Sequence, residues 1–145
     1  MINLINKQII GLLESIPEIK GVYEYPESNP TGYPYIFITW EGNESSELTN
    51  TQDNVYLKYK ITLVQEKLED FKGRKNAEIT TADRAWKIEN LFRENNDLGL
   101  SNVLRVLPVE TIKKYDSSAT RIILETSIRV HIIAEVKIQK VEEDN

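Results

Sequence analysis

The sequence predicts an α+β fold, one mainly antiparallel twisted sheet flanked by two helices and closing on a long C-terminal β-hairpin. Three patterns predict it. Residues 2–16 place apolar side chains at helical spacing, residues 80–95 do so again, and residues 55–66 and 120–138 alternate apolar with polar side chains as half-buried strands do.

In the first segment Ile2, Ile5, Ile9, Leu12, Leu13 and Ile16 share one face, and Pro17 stops the helix. Residues 22–25 form a short extended piece, and the prolines and glycine of 26–32 require a turn-rich loop. In 33–40, Tyr35, Phe37 and Thr39 alternate with Ile36, Ile38 and Trp40, so both faces are bulky and a central strand covered on both sides is expected. Residues 41–54 hold Leu48 as their one aliphatic side chain and read as a polar, acidic loop able to meet a partner. In 55–66, Val55, Leu57, Tyr59, Ile61 and Leu63 line one face of a strand. The charged stretch 67–75 reads as a connector, after which Thr80 and Asp83 resemble a capping box opening a helix to about Glu94. Ala82, Ala85, Ile88 and Phe92 form its inner face. Residues 95–99 tolerate left-handed backbone and end the helix; 103–115 return to strand, with an edge position or a bulge at Pro108. Residues 116–119 supply a hairpin turn, and the tail 139–145 frays.

A length of 145 residues fits one domain, 1–145, able to bury roughly 70% of its unfolded surface. The absence of cysteine excludes disulfides, thiolate zinc sites and a cysteine nucleophile, and fits maturation in a reducing cytoplasm. Residues 1–13 have no basic start or cleavage site, so no signal peptide is expected. No apolar run approaches the ~20 residues that cross a bilayer, so no membrane association is expected. A net charge of −5 argues against a domain that binds nucleic acid by neutralising phosphates, yet leaves open a surface that DNA slides past.

No phosphate-binding glycine loop, zinc helix or nucleophile elbow is present. His131 is the single histidine and lies between Val130 and Ile132, where it reads as an ordinary sheet residue. Glu41, Glu44, Glu47 and Asp53 offer oxygen ligands, but their spacing does not match a calcium loop, so a solvated or partner-ordered loop is expected. Glu66, Glu69 and Asp70 alternate with Lys67 and Lys72 as a solvated connector does. The expectation is therefore no catalytic, cofactor or metal site, and no enzyme. Trp40, Trp86 and Tyr115 are candidate interface anchors, and Lys58, Lys60, Lys113 and Lys114 a possible basic strip. If 120–137 is one strand it spans roughly 55–60 Å, against a domain diameter of about 40 Å. Either a bulge bends it or part of its apolar stripe is buried on another subunit.

Ser15-Ile-Pro-Glu-Ile-Lys-Gly-Val-Tyr23, Thr31-Gly-Tyr-Pro-Tyr35 leading into a strand, and Asn50-Thr-Gln-Asp-Asn54 before Tyr56-Leu-Lys-Tyr-Lys-Ile-Thr-Leu-Val64 resemble the tail terminator, or tail-completion, proteins of long-tailed bacteriophages. So do the Lys/Glu-rich connector, the helix bearing Ala82 and Asp83, and the terminal strands with Val109, Glu110 and the run 128–136. The resemblance covers almost the whole chain through sparse motifs, none diagnostic alone. It implies a homohexameric ring that caps the tail tube protein, stops its polymerisation and offers its other face to a head-completion or neck protein, with DNA passing through the lumen without sequence-specific binding. It implies a virion protein of the tail and neck, assembled in the host cytoplasm, without cofactor or active site. The expected subunit contact is Ile128, Arg129, Val130 and Ile132 with Trp86; the expected partner loops carry Glu44, Glu47 and Asn50, and Asp116 and Ser117. A head-completion or minor capsid ring protein of the same particle is the near alternative, a small enzyme or nucleic-acid-processing subunit the remote one.

Overall fold

The computed structural model describes residues 2–27, 30–47, 52–67, 71–118 and 121–137. The apolar repeat near the N-terminus forms helix α1 (Ile2–Glu14), which buries Ile5, Ile9 and Leu13 and ends three residues before Pro17. There follow β1 (Val22–Tyr23), β2 (Tyr35–Glu47), β3 (Gln52–Lys67), helix α2 (Phe71–Glu94), β4 (Val103–Ser118) and β5 (Arg121–Lys137). The strands form one sheet in the order β1-β2-β3-β5-β4, antiparallel except for the two-residue β1–β2 pairing. The α+β class and the long C-terminal hairpin are as expected.

One sheet face carries the core. Leu57, Tyr59, Ile61 and Leu63 of β3 and Ile128, Val130 and Ile132 of β5 meet Ile5, Ile9 and Leu13 of α1 and Ala85, Ile88 and Phe92 of α2, so both helices lie on this face. Each fully buried large side chain contributes about 1.5–3 kcal/mol. Polar pins orient the helices. The Tyr59 hydroxyl donates to Asn6 Oδ1 of α1 at 2.7 Å, and an Arg84 guanidinium N–H of α2 donates to Gln65 Oε1 of β3 at 2.6 Å. Glu18, just beyond α1, accepts from Lys87 Nζ of α2 at 3.0 Å; that hydrogen bond chiefly holds its carboxyl below the usual value.

Burial pushes the Tyr59 phenol up to about 12. The folded state thus keeps a proton that the unfolded chain releases near pH 10. Tyr59 adds no pH dependence below pH 10 and lowers stability as pH rises from 10 to about 12. Tyr59→Phe should lose about 1 kcal/mol at neutral pH with the Asn6 hydrogen bond, and lack that component of the alkaline fall; urea titrations at pH 7, 10 and 12 check both.

Several expectations are corrected. Residues 41–47 and 52–54 are strand, not loop: β2 runs to Glu47 and β3 starts at Gln52, with Glu47 opposite Asp53 and Glu44 opposite Tyr56. The described side chains of this β2 arm, Glu41, Asn43 and Glu44, are polar and exposed, so the alternation that marks a strand is missing. Nor is β2 central. Its outer neighbour β1 pairs only at Ile36 and Phe37, which among the described residues leaves Ile38–Glu47 as an edge with Trp40 exposed. Helix α2 begins at Phe71, inside the stretch read as a connector, so Thr80 is not its cap; Thr81, not Ala82, joins its buried face. Asp116 and Ser117 are paired with Ile123 and Ile122 and so belong to the strand and not to a turn. Lys58 and Lys60 on β3 are separated by β5 from Lys113 and Lys114 on β4, and no basic strip forms. Asn50 and the tail 139–145 lie outside the described residues.

Pro108 does lie on an edge strand, with register shifts in β4 between Val103 and Arg105 and between Pro108 and Glu110. β5 pairs with β3 from Lys137 to Ile122 with no shift, so no bulge bends it on that side. After α2, Leu98 (φ 55°) and Gly99 (φ 69°) adopt the left-handed conformation expected there. A Cβ at Gly99 would touch nothing, so Gly99→Ala should cost about 1 kcal/mol from backbone strain alone. Gly11→Ala, in the open on α1, should gain about 0.5–1 kcal/mol. Opposite shifts in melting temperature check the pair.

Candidate assembly surfaces

The side chains singled out for subunit contact divide sharply. Ile128, Val130 and Ile132 are fully buried, and β5 is paired with β3 on one side and β4 on the other, so it has no free edge for sheet extension. Contact through this stripe is therefore corrected: its apolar face is the chain's own core. Arg129 points to the opposite sheet face, which carries no helix among the described residues. There its guanidinium bonds Glu110 Oε2 of β4 at 2.9 Å and lies 3.5 Å from Glu41 Oε1 of β2, spanning β3. These partly exposed pairs contribute at most about 1 kcal/mol each. His131 lies half-buried on that face, on the rung between Lys58 and Leu107. Among the described residues no cluster of His, Cys, Asp or Glu could hold a metal ion, and no helix is long and apolar enough to cross a membrane.

Trp86 stands on the outer flank of α2 with 58% of its surface exposed. The Arg93 guanidinium lies 5.1 Å from its ring centroid, two helical turns on. Beside it a groove of about 250 Å³ runs between α2 and β4, lined by Ala82, Ala85 and Trp86 and by Thr111 and Lys113. Its β4 wall is fixed to the helix: the Thr111 hydroxyl donates to Glu89 Oε1 at 2.7 Å, and Lys113 Nζ lies 3.3 Å from Glu78 Oε1. Tyr115, 39% exposed, continues this strip under the Lys113 ammonium. Toward the other end of β4, Arg93, Asn96 and Arg105 line a second, more polar groove with Val106, Leu107 and Pro108. The β4 edge and the α2 flank thus expose Trp86, Arg93, Arg105 and Tyr115, with Lys113 tied to Glu78 and Glu110 tied to Arg129.

The β2 edge is its counterpart. Trp40 is 50% exposed and its indole N–H donates to Asn43 Oδ1 at 2.8 Å. A register shift between Trp40 and Gly42 breaks the ladder there, and Gly42 takes φ 116°. Ile38–Glu47 holds Glu41, Glu44 and Glu47 and no basic residue. Glu44 is exposed, with Lys58 Nζ at 3.8 Å. Glu47 ends the strand; of the expected partner-loop residues, Glu44 alone is a described surface side chain. Sequence reading marked Trp40, Trp86 and Tyr115 but missed Arg93 and Arg105. The spacing of seven between Trp86 and Arg93 was the available signal for the first; Arg105 had none without the strand order.

No family model matches the chain, and no curated protein matches it. Among solved structures, a chain of the particle titled "Virion of native gene transfer agent (GTA) particle" is similar over 87% of this chain and 84% of its own, at 12% identity and a TM-score of 0.47. Identity and score at this level do not establish a shared role.

Proposed function

We propose that this chain is a structural protein of a phage-like virion that assembles with copies of itself into a ring, in the role of a tail terminator. The observation that carries the reading is the pair of long edges that the described residues leave unpaired at opposite sides of one sheet, with exposed Trp40 on the β2 edge and exposed Trp86 on the α2 flank beside the β4 edge. A heterologous contact between unlike edges repeats around an axis and gives a ring when the rotation closes. The sequence resemblance supplies the place of that ring: a cap on the tail tube that stops its growth and presents a second surface to the head-completion proteins. Interface anchors are commonly tryptophan, tyrosine and arginine, the side chains that α2 and the β4 edge leave exposed. Adding the protein to polymerising tail tube protein tests this. Tubes of bounded length with density at one end are expected; unchanged tube growth with binding to capsids instead would point to the head-completion role.

A further inference from the structure

We infer that the self-contact joins the β2 edge of one copy to the β4 edge and α2 flank of the next, with Trp40 seated on the Trp86–Arg93 strip and Glu44 paired with Arg105. This deepens the ring reading and rests on it. The sheet register places these groups. Glu44 pairs with Tyr56, Tyr56 with Ile133, and Ile133 with Arg105, so Glu44 and Arg105 lie on one rung at opposite edges. Likewise Trp40 shares a rung, through Tyr59 and Val130, with Pro108, which lines the groove holding Arg93 and Arg105. A second copy set alongside at the same level and with the same face outward brings each group to its counterpart.

The strand sense agrees. Because β2–β3, β3–β5 and β5–β4 are all antiparallel, β2 and β4 run oppositely, and rotation about an axis along the strands sets β4 of one copy antiparallel to β2 of the next. Both edges are irregular at this level, at Trp40/Gly42 and at Val103/Arg105 and Pro108/Glu110, which opposes an unbroken ladder and leaves the contact to side chains. Charge agrees as well. Ile38–Glu47 of the β2 edge holds three glutamates and no basic residue, with Glu41 drawn to Arg129 of its own chain and the Glu44 side chain 72% exposed, and the facing groove carries Arg93 and Arg105. Trp40 and Trp86 both project on the helix-bearing side, so the sheet need not be flipped between copies.

The cysteine-free sequence gives a clean test. The full chain carrying both Glu44→Cys and Arg105→Cys, treated with a short bismaleimide while its mass is followed by light scattering, should give a covalent ladder ending at the ring, and each single variant none. Cross-linking of a single variant would show like edges meeting and overturn the inference. A ring mass without cross-links would overturn the contact and leave the ring reading standing. A monomer that neither cross-links nor binds tube ends would overturn both. Charge exchange is the second arm: Glu44→Arg or Arg105→Glu alone should weaken self-association more than about tenfold, since like charges then face each other. The double exchange should restore it to within about threefold, and failure to restore would overturn the pairing. Trp40→Ala should weaken association about thirtyfold while leaving the melting temperature of the protomer nearly unchanged.

Discussion

Ile132→Asp should leave no cooperatively folded protein at room temperature. Ile132 is 0% exposed, pairs with Leu57 on one side and Val106 on the other, and faces the helices across the core. Truncating such a side chain costs about 2–5 kcal/mol. A carboxylate there adds several kcal/mol of desolvation with no cation in the core to answer it. Together these approach the roughly 5–15 kcal/mol by which a domain is stable at all. Arg129→Glu, three positions earlier on the same strand, should cost about 1 kcal/mol, because Arg129 loses partly exposed pairs only. Circular dichroism and urea denaturation of the two variants separate core from surface on β5. A soluble, native-like Ile132→Asp would mean that the stripe faces outward after all.

Phe92→Ala should cost about 3–5 kcal/mol, the next largest effect. Phe92, Ile88 and Ala85 form the buried ridge by which α2 docks on the sheet, and Phe92 is the largest of them. The α2 flank that faces the β4 groove is carried on that ridge. Trp86→Ala on the same helix removes an exposed ring and should change protomer stability by less than about 1 kcal/mol. The two variants therefore part the roles of the helix: Phe92→Ala lowers the urea midpoint strongly, whereas Trp86→Ala keeps the midpoint and loses self-association. Equal loss of stability in both would contradict the placement of Trp86.

Where a segment had to bury an apolar face, sequence periodicity found it. Ile5, Ile9 and Leu13, then Leu57 to Leu63, then Ile128 to Ala134, each announced an element that the core requires. Pro108 announced an edge because it lacks an N–H to donate. Periodicity failed where elements turn polar. The arm of β2 beyond Gly42 and the first turns of α2 are largely polar in sequence, and a polar strand or helix end carries no apolar rhythm to detect. The largest error concerned β5. Its length suggested a stripe left over for a neighbour, but pairing on both sides absorbs the strand, a fact of strand order that one strand's residues do not encode. The same strand order set Trp40, on the β2 edge, and Trp86, on α2 beside β4, at opposite sides of one sheet.

The central claim is that unlike edges of identical copies close into a ring that seats on a tail tube. Light scattering of the purified protein, alone and mixed with pre-assembled tail tubes, followed by electron microscopy of the tube ends, tests it most directly. A mass near six times the 16.8 kDa protomer, or a ring of density at one tube end, is the predicted result. A protein that stays monomeric at every concentration and never decorates a tube would contradict it.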